Sequence, residues 1–362
     1  MVGMTRAHLA DPLIVKKILE GREDDIRPCV GANYCLDRIY QGGAAYCIHN
    51  PASGRETALP QEVTKGDTSL NVVVVGAGPG GLEAARAAAA RGHRVTVLEA
   101  AGGPGGQVRL AATSARRREI LGITGWRMAQ CEKLGVAFRF NTWAEPETVL
   151  DLAPDAVILA TGGIAFTDVL DAGGELVVSA WDILSGDAAP GQEVLVYDDA
   201  GDFAALQAAE RIAEAGGRVE VLTPDRSFAP EVMGMSLSPY VQALQGKGAV
   251  FTVTWRLRSV RREGNRLVAT LGSDYGAAQQ ERRIDQVVVN HGTRPLDELY
   301  FALKPLSSNL GQVDHAALAE GRVQALAPNL DGRFRLFRIG DAVASRNIHA
   351  AVYDGLRFAL AL

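Results

Sequence analysis

Short apolar runs alternate with helical patterns through the middle of the chain. The run Asn71–Val75 is followed by an Ala-rich helical stretch at 80–91 and by a second run, Arg94–Leu98. Uninterrupted apolar runs of this length are typical of parallel strands that are buried on both faces. The order therefore predicts a βαβ unit, and the later run Ala156–Ala160 adds another strand to its sheet.

A second unit with the same layout begins after a Gly- and Pro-containing break at 185–191. Its predicted elements are the strand Val194–Tyr197, the helix Phe203–Ala215, the strand Arg218–Leu222 and the strand Gln286–Asn290. A strand at Phe337–Gly340 and a helix at Ile348–Leu360 come after it. The pattern predicts an α/β protein with two Rossmann-like nucleotide-binding domains, the second inserted in the first.

Residues 1–60 follow a different pattern. The segment contains one helical stretch, Asp11–Gly21, and a loop rich in Gly, Asn and Cys, which cannot enclose a core of their own. We therefore expect this segment to pack against another part of the structure. The segment is also expected to expose an apolar surface suited to assembly, formed by Leu13, Ile14, Val15 and Ile18.

Composition and charge narrow the class of protein. The 362 residues carry a net charge of -5, so no basic surface for nucleic acid is expected. The N-terminus shows no signal-peptide pattern and no apolar run reaches membrane-spanning length, which predicts a cytoplasmic protein without a membrane partner.

Three of the four cysteines fall within 19 residues, which favours metal or redox chemistry over disulfides. The fourth, Cys131, is predicted to be a small buried residue.

The stretch Gly76-Ala-Gly78-Pro-Gly-Gly81 is a GxGxxG sequence between a predicted strand and a predicted helix. Gly76 permits a tight turn, Gly78 lets a pyrophosphate approach the backbone, and Gly81 allows close packing of helix on strand. Glu99, which lies 18 residues past Gly81, is placed to accept hydrogen bonds from an adenosine ribose. These residues predict a dinucleotide or ADP site, and a plain Gly-rich turn is the alternative.

Three further stretches are placed to contact the distal half of a long cofactor. They are Gly106-Gln107 in a loop with few side chains, Thr161-Gly162 at a strand end and Gly340-Asp341 before the last helix. A loop without side chains lets a cofactor lie against backbone, and Asp341 is suited to a ribityl hydroxyl beside the dipole of the helix. The alternatives are a surface loop, an ordinary strand end and an N-cap without a ligand.

The corresponding loop of the second unit is acidic. It consists of Tyr197-Asp198-Asp199-Ala200-Gly201-Asp202-Phe203, where glycines would be expected. Like charges about 4 Å apart repel by up to about 4 kcal/mol at an effective dielectric of 20, so these carboxylates oppose the binding of a pyrophosphate. The pattern favours a retained fold over a working NAD(P)H site.

The cysteine-rich segment contains Cys29, Cys35 and Cys47 among glycines. Thiolates spaced this closely suit an iron-sulfur cluster. Three thiolates are one short of the usual four. This leaves open a 3Fe-4S cluster, a 4Fe-4S cluster with Asp37 or His49 as a further ligand, or a site that no longer binds metal.

With these motifs, the chain resembles the C-terminal part of the iron-sulfur flavoproteins related to 2,4-dienoyl-CoA reductase, trimethylamine dehydrogenase and histamine dehydrogenase, and within them the bacterial N-methylproline demethylases. The resemblance implies that residues 1–60 comprise the tail of an FMN-binding (β/α)8 barrel, with Arg6 beside the FMN phosphate, and the cluster segment. Ala32 stands where the family has its second cluster cysteine. The FAD- or ADP-binding domain is expected at 68–180 plus 311–362, and the inserted NAD(P)-binding-like domain at 181–310.

The implied function is that of an electron-transfer module holding FAD, or ADP alone, and a 4Fe-4S or 3Fe-4S cluster. A (β/α)8 barrel takes about 250 residues, so the FMN and the amine site are expected on a barrel missing from this chain, which is then a fragment or pairs with a separate barrel chain. Electrons from an N-methylated amine would pass to the cluster and on to an acceptor, with an electron-transfer flavoprotein or NAD(P)H as the possible redox partner. The alternatives are an NAD(P)H-dependent enoate reductase and a non-catalytic nucleotide-binding fragment, and homo-oligomer formation stays open.

Overall fold

In the computed structural model, which describes residues 3–362, the chain forms two compact units. The first unit comprises the chain up to Arg109 together with Glu119–Gly163 and Pro295–Leu362. The second unit comprises Leu110–Arg118 and Ile164–Arg294. The second unit is therefore inserted in the first along the sequence, with bounds that differ from the expected 181–310.

The cysteine segment begins with three short helices, α1 (Thr5–Ala10), α2 (Ile14–Leu19) and α3 (Tyr34–Tyr40). The predicted helix at Asp11–Gly21 is the shorter α2, and α1 was not predicted; the buried side chain of Asp11 lies between the two. Its carboxylate accepts hydrogen bonds from the backbone N–H groups of Leu13 (3.1 Å) and Arg27 (2.8 Å) and pairs with Lys17 (2.6 Å).

The predicted apolar surface of this segment is smaller than expected. Val15 and Ile18 are 53% and 46% exposed, but Ile14 is buried. The prediction that Ile14 is exposed was therefore wrong, because one face of α2 packs inward.

The first unit is built on the predicted βαβ unit. Its elements before the insertion are β1 (Asn71–Val75), α4 (Pro79–Ala90), β2 (Arg94–Leu98), α5 (Gln107–Ala111), α6 (Leu121–Lys133), β3 (Ala137–Arg139), α7 (Pro146–Leu150) and β4 (Ala156–Leu159). β1 pairs in parallel with both β2 and β4. Val72 and Val74 enter one core cluster and Val73 and Val75 another, so the strand needs apolar residues on both faces.

The next elements form a second parallel sheet, a three-stranded antiparallel sheet and a two-stranded sheet. They are β5 (Gly163–Ala165), β6 (Val178–Ser179), α8 (Ala180–Ser185), β7 (Glu193–Asp198), α9 (Phe203–Glu214), β8 (Arg218–Leu222), α10 (Gly234–Gly246), β9 (Val250–Thr252), β10 (Arg256–Glu263), β11 (Arg266–Gly272), β12 (Gln279–Ile284), β13 (Gln286–Asn290) and β14 (Thr293–Pro295). The parallel sheet has the order β6-β13-β7-β8-β9, and β10-β11-β12 form the antiparallel sheet. The antiparallel sheet was not predicted.

The chain completes the first unit with α11 (Glu298–Leu303), α12 (His315–Ala319), β15 (Arg335–Arg338) and α13 (Ile348–Leu360). β15 pairs in parallel with β4, which gives the sheet order β15-β4-β1-β2-β3. α13 lies against α4 with the backbones in close approach, since a Cβ on Gly355 would be 2.4 Å from the Gly80 carbonyl oxygen. The two parallel sheets with their helices confirm the predicted α/β class.

Asn309 completes the edge of the first sheet at β15. Its side chain is 1% exposed, donates to the Leu336 carbonyl oxygen (2.8 Å) and accepts from the Leu336 N–H (2.8 Å). The replacement Asn309→Ala is expected to lower the free energy of unfolding by about 2–4 kcal/mol, because two buried backbone groups lose their partners. Urea unfolding measures this loss, and a change below about 1 kcal/mol would contradict it.

Candidate functional site

The GxGxxG loop joins β1 to α4, and its three marker glycines occupy different environments. Gly76 has φ +103°, and a Cβ there would lie 2.3 Å from the Ala160 carbonyl oxygen. A Cβ on Gly81 would lie 2.0 Å from the Gly76 carbonyl oxygen. A Cβ on Gly78 would meet no atom within 4 Å. Packing therefore requires Gly76 and Gly81, whereas Gly78 leaves the loop backbone open to a ligand.

Glu99 follows β2 and lies beside this loop. Its carboxylate accepts hydrogen bonds from the backbone N–H groups of Ala77 (2.6 Å) and Ala101 (2.8 Å). Glu99 thus joins the glycine loop to the loop after β2. Each carboxylate oxygen can accept a further hydrogen bond, so the role of Glu99 toward an adenosine ribose stays a prediction.

The second glycine-rich loop packs directly on the first. The Gly105 N–H donates to the Ala77 carbonyl oxygen (2.9 Å), and a Cβ on Gly106 would lie 3.2 Å from the Gly78 Cα. Gly106 has φ +52°, a conformation that favours glycine. The fold therefore brings the two glycine loops together beside the open backbone of Gly78.

Gln107 extends this site toward the carboxyl ends of β4 and β15. Its side-chain amide donates to Asp341 (3.1 Å) and lies 3.9 Å from the place a Cβ on Gly162 would occupy. The turn Gly340–Ala342 follows β15 and carries Asp341. The structure therefore brings together the three predicted stretches, Gly106-Gln107, Thr161-Gly162 and Gly340-Asp341.

Two residues of this site have contacts that sequence reasoning missed. The Thr161 hydroxyl donates to the Leu296 carbonyl oxygen (2.5 Å). The N-cap of α13 is Asn347, whose side chain accepts from the Ala350 N–H (2.9 Å), so the alternative in which Asp341 is that cap is wrong. Asp341 lies in its own turn before the helix and faces Gln107.

The three clustered cysteines line one open recess. The remaining lining residues are Arg6, Leu9, Val30, Gly31, Ala32, Asn33, Tyr34 and Ile48. Ala32 thus lies among the cysteines, as expected for the position of a missing ligand. The Arg6 guanidinium donates to the Asn33 side-chain oxygen (3.3 Å), which places Arg6 at the cysteine recess.

The three cysteines that line the recess are donors of the type that an iron-sulfur cluster needs. Among residues 3–362, no three His, Cys, Asp or Glu side chains are arranged to hold one metal ion, so the cluster stays a prediction. Burial raises the pKa of the Cys47 thiol, and the backbone N–H groups of Asn50 and His49 oppose that rise.

The two non-cysteine ligands suggested by the sequence lie outside the lining of the recess. His49 is fully buried, and its Nδ1 is 2.9 Å from the Pro28 carbonyl oxygen. Asp37 accepts a hydrogen bond from the Gln41 side chain (3.2 Å). The recess therefore offers a cluster three thiolates and no carboxylate or imidazole from these two residues.

His349, in the first turn of α13, joins the cysteine segment to the nucleotide-binding fold. Its Nδ1 is 2.8 Å from the Cys47 carbonyl oxygen, and its ring stacks on Tyr34 and Tyr46 with centroids 4.8 and 5.6 Å apart. Burial lowers the pKa of His349 to about 4, so a neutral ring donates this hydrogen bond at pH 7. Sequence reasoning missed His349, because one histidine in an amphipathic helix forms no ligand pattern.

In the second unit, the acidic loop after β7 is held by its own hydrogen bonds. Asp198 accepts from the Gly201 N–H (3.0 Å), and the Asn290 side chain donates to both Asp198 and Asp202 (2.9 Å each). Asp202 also caps α9 by accepting from the Ala204 N–H (2.8 Å). A carboxylate therefore occupies the helix end that binds phosphate in nucleotide-binding members of this fold.

The paired sheets and the glycine loops define the class of flavin-linked oxidoreductases with two dinucleotide-binding domains. Residues 70–352 match the family model of the pyridine nucleotide-disulphide oxidoreductases. The chain belongs to this family of oxidoreductases, and a flavin is the cofactor that the family supports. In residues 3–362, no helix is long and apolar enough to cross a membrane.

Individual relatives confirm the predicted resemblance. The chain is 65% identical over 357 residues to a probable N-methylproline demethylase from Rhizobium meliloti and 47% identical over 370 residues to an N,N-dimethylglycine/sarcosine dehydrogenase from Chromohalobacter salexigens. Each alignment covers 99% of this chain and 53% of the relative, so the chain spans about half the length of these curated relatives. The structure of histamine dehydrogenase from Rhizobium sp. 4-9 shares 26% identity and a TM-score of 0.83, over 99% of this chain and 54% of that one.

Replacements of two glycines in the first loop are expected to have distinct effects, one on the stability of the fold and one on ADP binding. Gly81→Ala should lower the free energy of unfolding by about 3 kcal/mol or more, because its Cβ would overlap backbone. Gly78→Ala should cost at most about 1 kcal/mol but weaken ADP binding at least tenfold. Urea unfolding and titration calorimetry with ADP measure the two effects. Unchanged ADP affinity in Gly78→Ala would contradict the assigned phosphate site.

The Asp198 carboxyl is expected to make stability depend on pH. Burial, and then the neighbouring Asp202, raise the pKa of Asp198 to about 7, from about 3.9 in the unfolded chain. The folded state then binds the proton more tightly, so this stabilisation is complete below about pH 4 and is lost as the pH rises to about 7. Asp198→Asn should remove that loss in urea unfolding from pH 4 to 8, whereas a change at the exposed Asp187 should not. Parallel curves for wild type and Asp198→Asn would assign the effect elsewhere.

Proposed function

We propose that this chain is the electron-transfer module of an oxidoreductase that acts on N-methylated amines, with FMN and the amine bound on a (β/α)8 barrel outside these residues. One observation carries the proposal. Cys29, Cys35 and Cys47 line a single recess, and His349 ties that recess to the helix that packs beside the glycine loops. The substrate class is taken from the relatives named for N-methylproline and for dimethylglycine or sarcosine.

FAD is the cofactor that we assign to the glycine loops. Gly78 offers open backbone to the pyrophosphate, at the N-terminus of α4. Gly106, Gln107, Gly162 and Asp341 continue the site beyond the part that ADP would need, which supports FAD over ADP alone. A bound flavin supplies one- and two-electron chemistry, while the chain holds its phosphates and its ribityl hydroxyls.

An iron-sulfur cluster is the group that we assign to the cysteine recess. The three thiolates would hold a 3Fe-4S cluster, or a 4Fe-4S cluster with one iron that lacks a protein thiolate at Ala32. Such a cluster supplies one-electron transfer. The residues of this chain would bind the cluster and keep it next to the segment that α13 supports.

An electron-transfer flavoprotein, rather than NAD(P)H, is the redox partner in this proposal. The α9 end in the second unit is capped by Asp202 and lies beside Asp198. The Asp202 carboxylate opposes a nucleotide phosphate by charge, and both carboxyl groups already use N–H groups that would bind it. This favours amine oxidation over an NAD(P)H-dependent enoate reductase.

Anaerobic purification and assembly with iron and sulfide test the cluster and the flavin together. Three or four irons with matching acid-labile sulfide, and released FAD, are expected per chain. Cys35→Ala should lose most of the iron, and Cys131→Ala, which replaces a buried cysteine outside the recess, should keep it. A chain without iron and flavin that still binds ADP would leave only a nucleotide-binding fragment. Equal iron in both variants would contradict the assigned ligands.

The identity of residue 32 is expected to decide the nuclearity of the cluster. Mild oxidation of the wild-type chain should yield a three-iron cluster, because no protein thiolate holds the fourth iron. Ala32→Cys should retain four irons under the same treatment, as seen by electron paramagnetic resonance and iron analysis. A three-iron product from Ala32→Cys would show that another residue sets the nuclearity.

Anaerobic addition of NADH or NADPH separates the two directions of electron flow. The flavin should stay oxidised, because the acidic loop opposes nucleotide binding. Rapid bleaching of the flavin by NADPH would favour the enoate reductase alternative and contradict the proposed partner.

A further inference from the structure

Two buried arginine side chains and the partly buried Arg86 lie together beside the cysteine segment with one carboxylate among them. Arg127 and Glu83 are fully buried, and Arg27 is 8% exposed. Glu83 pairs with Arg127 (2.8 Å) and with Arg86 (2.5 Å). All three guanidinium groups lie within 6 Å of the centre of the Trp126 ring.

Arg27 is the member of this group without a carboxylate partner in the described part of the chain. Its guanidinium lies 4.4 Å from the Trp126 ring centre, and its Nη1 is 3.5 Å from the Ala10 carbonyl oxygen. Asp11, which accepts from the Arg27 backbone, is already paired with Lys17 (2.6 Å). One carboxylate among three guanidinium groups therefore leaves two positive charges uncompensated in a largely buried group.

An uncompensated buried charge costs several kcal/mol, so a negative group is expected nearby. Along the chain, Arg27 lies two residues before Cys29, which lines the cysteine recess. Arg127 is joined to the recess through the backbone, because its Nη2 donates to the His49 carbonyl oxygen (2.7 Å) and the His49 N–H lies 3.4 Å from the Cys47 sulfur. Thiolates bound to iron would supply the missing negative charge.

We propose that Arg27 and Arg127 are the buried counter-charge of an iron-sulfur cluster held by Cys29, Cys35 and Cys47, and that they raise its reduction potential. This inference rests on the proposed cluster. Arg27 acts through its fixed charge. Arg127 adds a positioning role, because it holds His49 so that the N–H of His49 faces the Cys47 sulfur.

The direction of the effect follows from charge. Reduction adds one negative charge to a cluster, so nearby positive charges and N–H groups directed at sulfur stabilise the reduced form. Low polarity strengthens the effect, because buried charges are screened less than exposed ones. Removal of Arg27 should therefore make the cluster harder to reduce.

A purely structural role predicts something different. If the arginines only packed against Trp126 and neutralised Glu83, their removal would change the free energy of unfolding and leave the potential unchanged. Arg27 separates these possibilities, because its removal leaves both ion pairs of Glu83 intact. Arg27→Met keeps the length and apolar character of the stem while it removes the charge.

The test is a potentiometric titration of the 362-residue chain with its cluster assembled, followed by visible absorbance and electron paramagnetic resonance. At the wild-type midpoint potential, Arg27→Met should lower the ratio of reduced to oxidised cluster at least tenfold, which is 59 mV for one electron. Arg27→Lys keeps the charge and should stay within about threefold of wild type. Arg22→Met removes an exposed charge from the same segment and should also stay within about threefold.

Arg127→Gln provides a second variant, since it removes the charge and, because its side chain is shorter, also the hydrogen bond to the His49 carbonyl oxygen. A shift in the same direction as Arg27→Met supports the inference. A cluster that Arg27→Met fails to hold, with loading restored in Arg27→Lys, supports it as well. Unchanged potentials in both Arg27→Met and Arg127→Gln would overturn it. If the unaltered chain assembles no cluster, the proposed function fails first, and no variant is needed to see that.

Discussion

The first unit depends on how closely α4 approaches the ends of β1 and β4. Gly76 and Gly81 allow this approach, because a single Cβ at either position would overlap a backbone carbonyl. The same close contact continues on the other side of α4, where Gly80 faces Gly355 of α13. Three layers of backbone are therefore stacked with few intervening side chains, which sets the positions of the loops between them.

The cysteine segment is held in place by contacts with these layers. It has no core of its own, and its contacts run to side chains carried by the stacked helices. α13 contributes His349, which binds the Cys47 carbonyl and stacks on Tyr34. α4 contributes Glu83, which holds Arg127 of α6 against the His49 carbonyl. The recess and the glycine loops are therefore two surfaces of one packed arrangement.

Local patterns predicted much of the fold where a strand is buried on both faces. The bounds of Arg94–Leu98, Arg218–Leu222 and Gln286–Asn290 agree with the structure, because an apolar run between turns allows few other states. The antiparallel sheet was missed for the opposite reason. Arg256–Glu263 and Gln279–Ile284 are rich in arginine and glutamate, and such strands with a solvated face resemble loops in a single sequence.

The candidate site also contains some residues that the sequence predicted and some that it did not. Gly76, Gly78 and Gly81 were predictable, since their spacing encodes a local turn. The contact of His349 with Cys47 spans 302 residues and that of Arg127 with Glu83 spans 44, so neither leaves a local pattern. The acidic loop was expected to repel a phosphate, but the pairing of Asp198 with Asn290 depends on a strand 92 residues away.

The contact of His349 with Cys47 also bears on biosynthesis. A ribosome makes the cysteines early and the helix that supports them about 300 residues later, at roughly 5–20 residues per second. During that interval the Cys47 segment lacks the contact with α13 that the folded protein gives it. A cluster of the proposed kind would therefore find its complete site only after translation of α13.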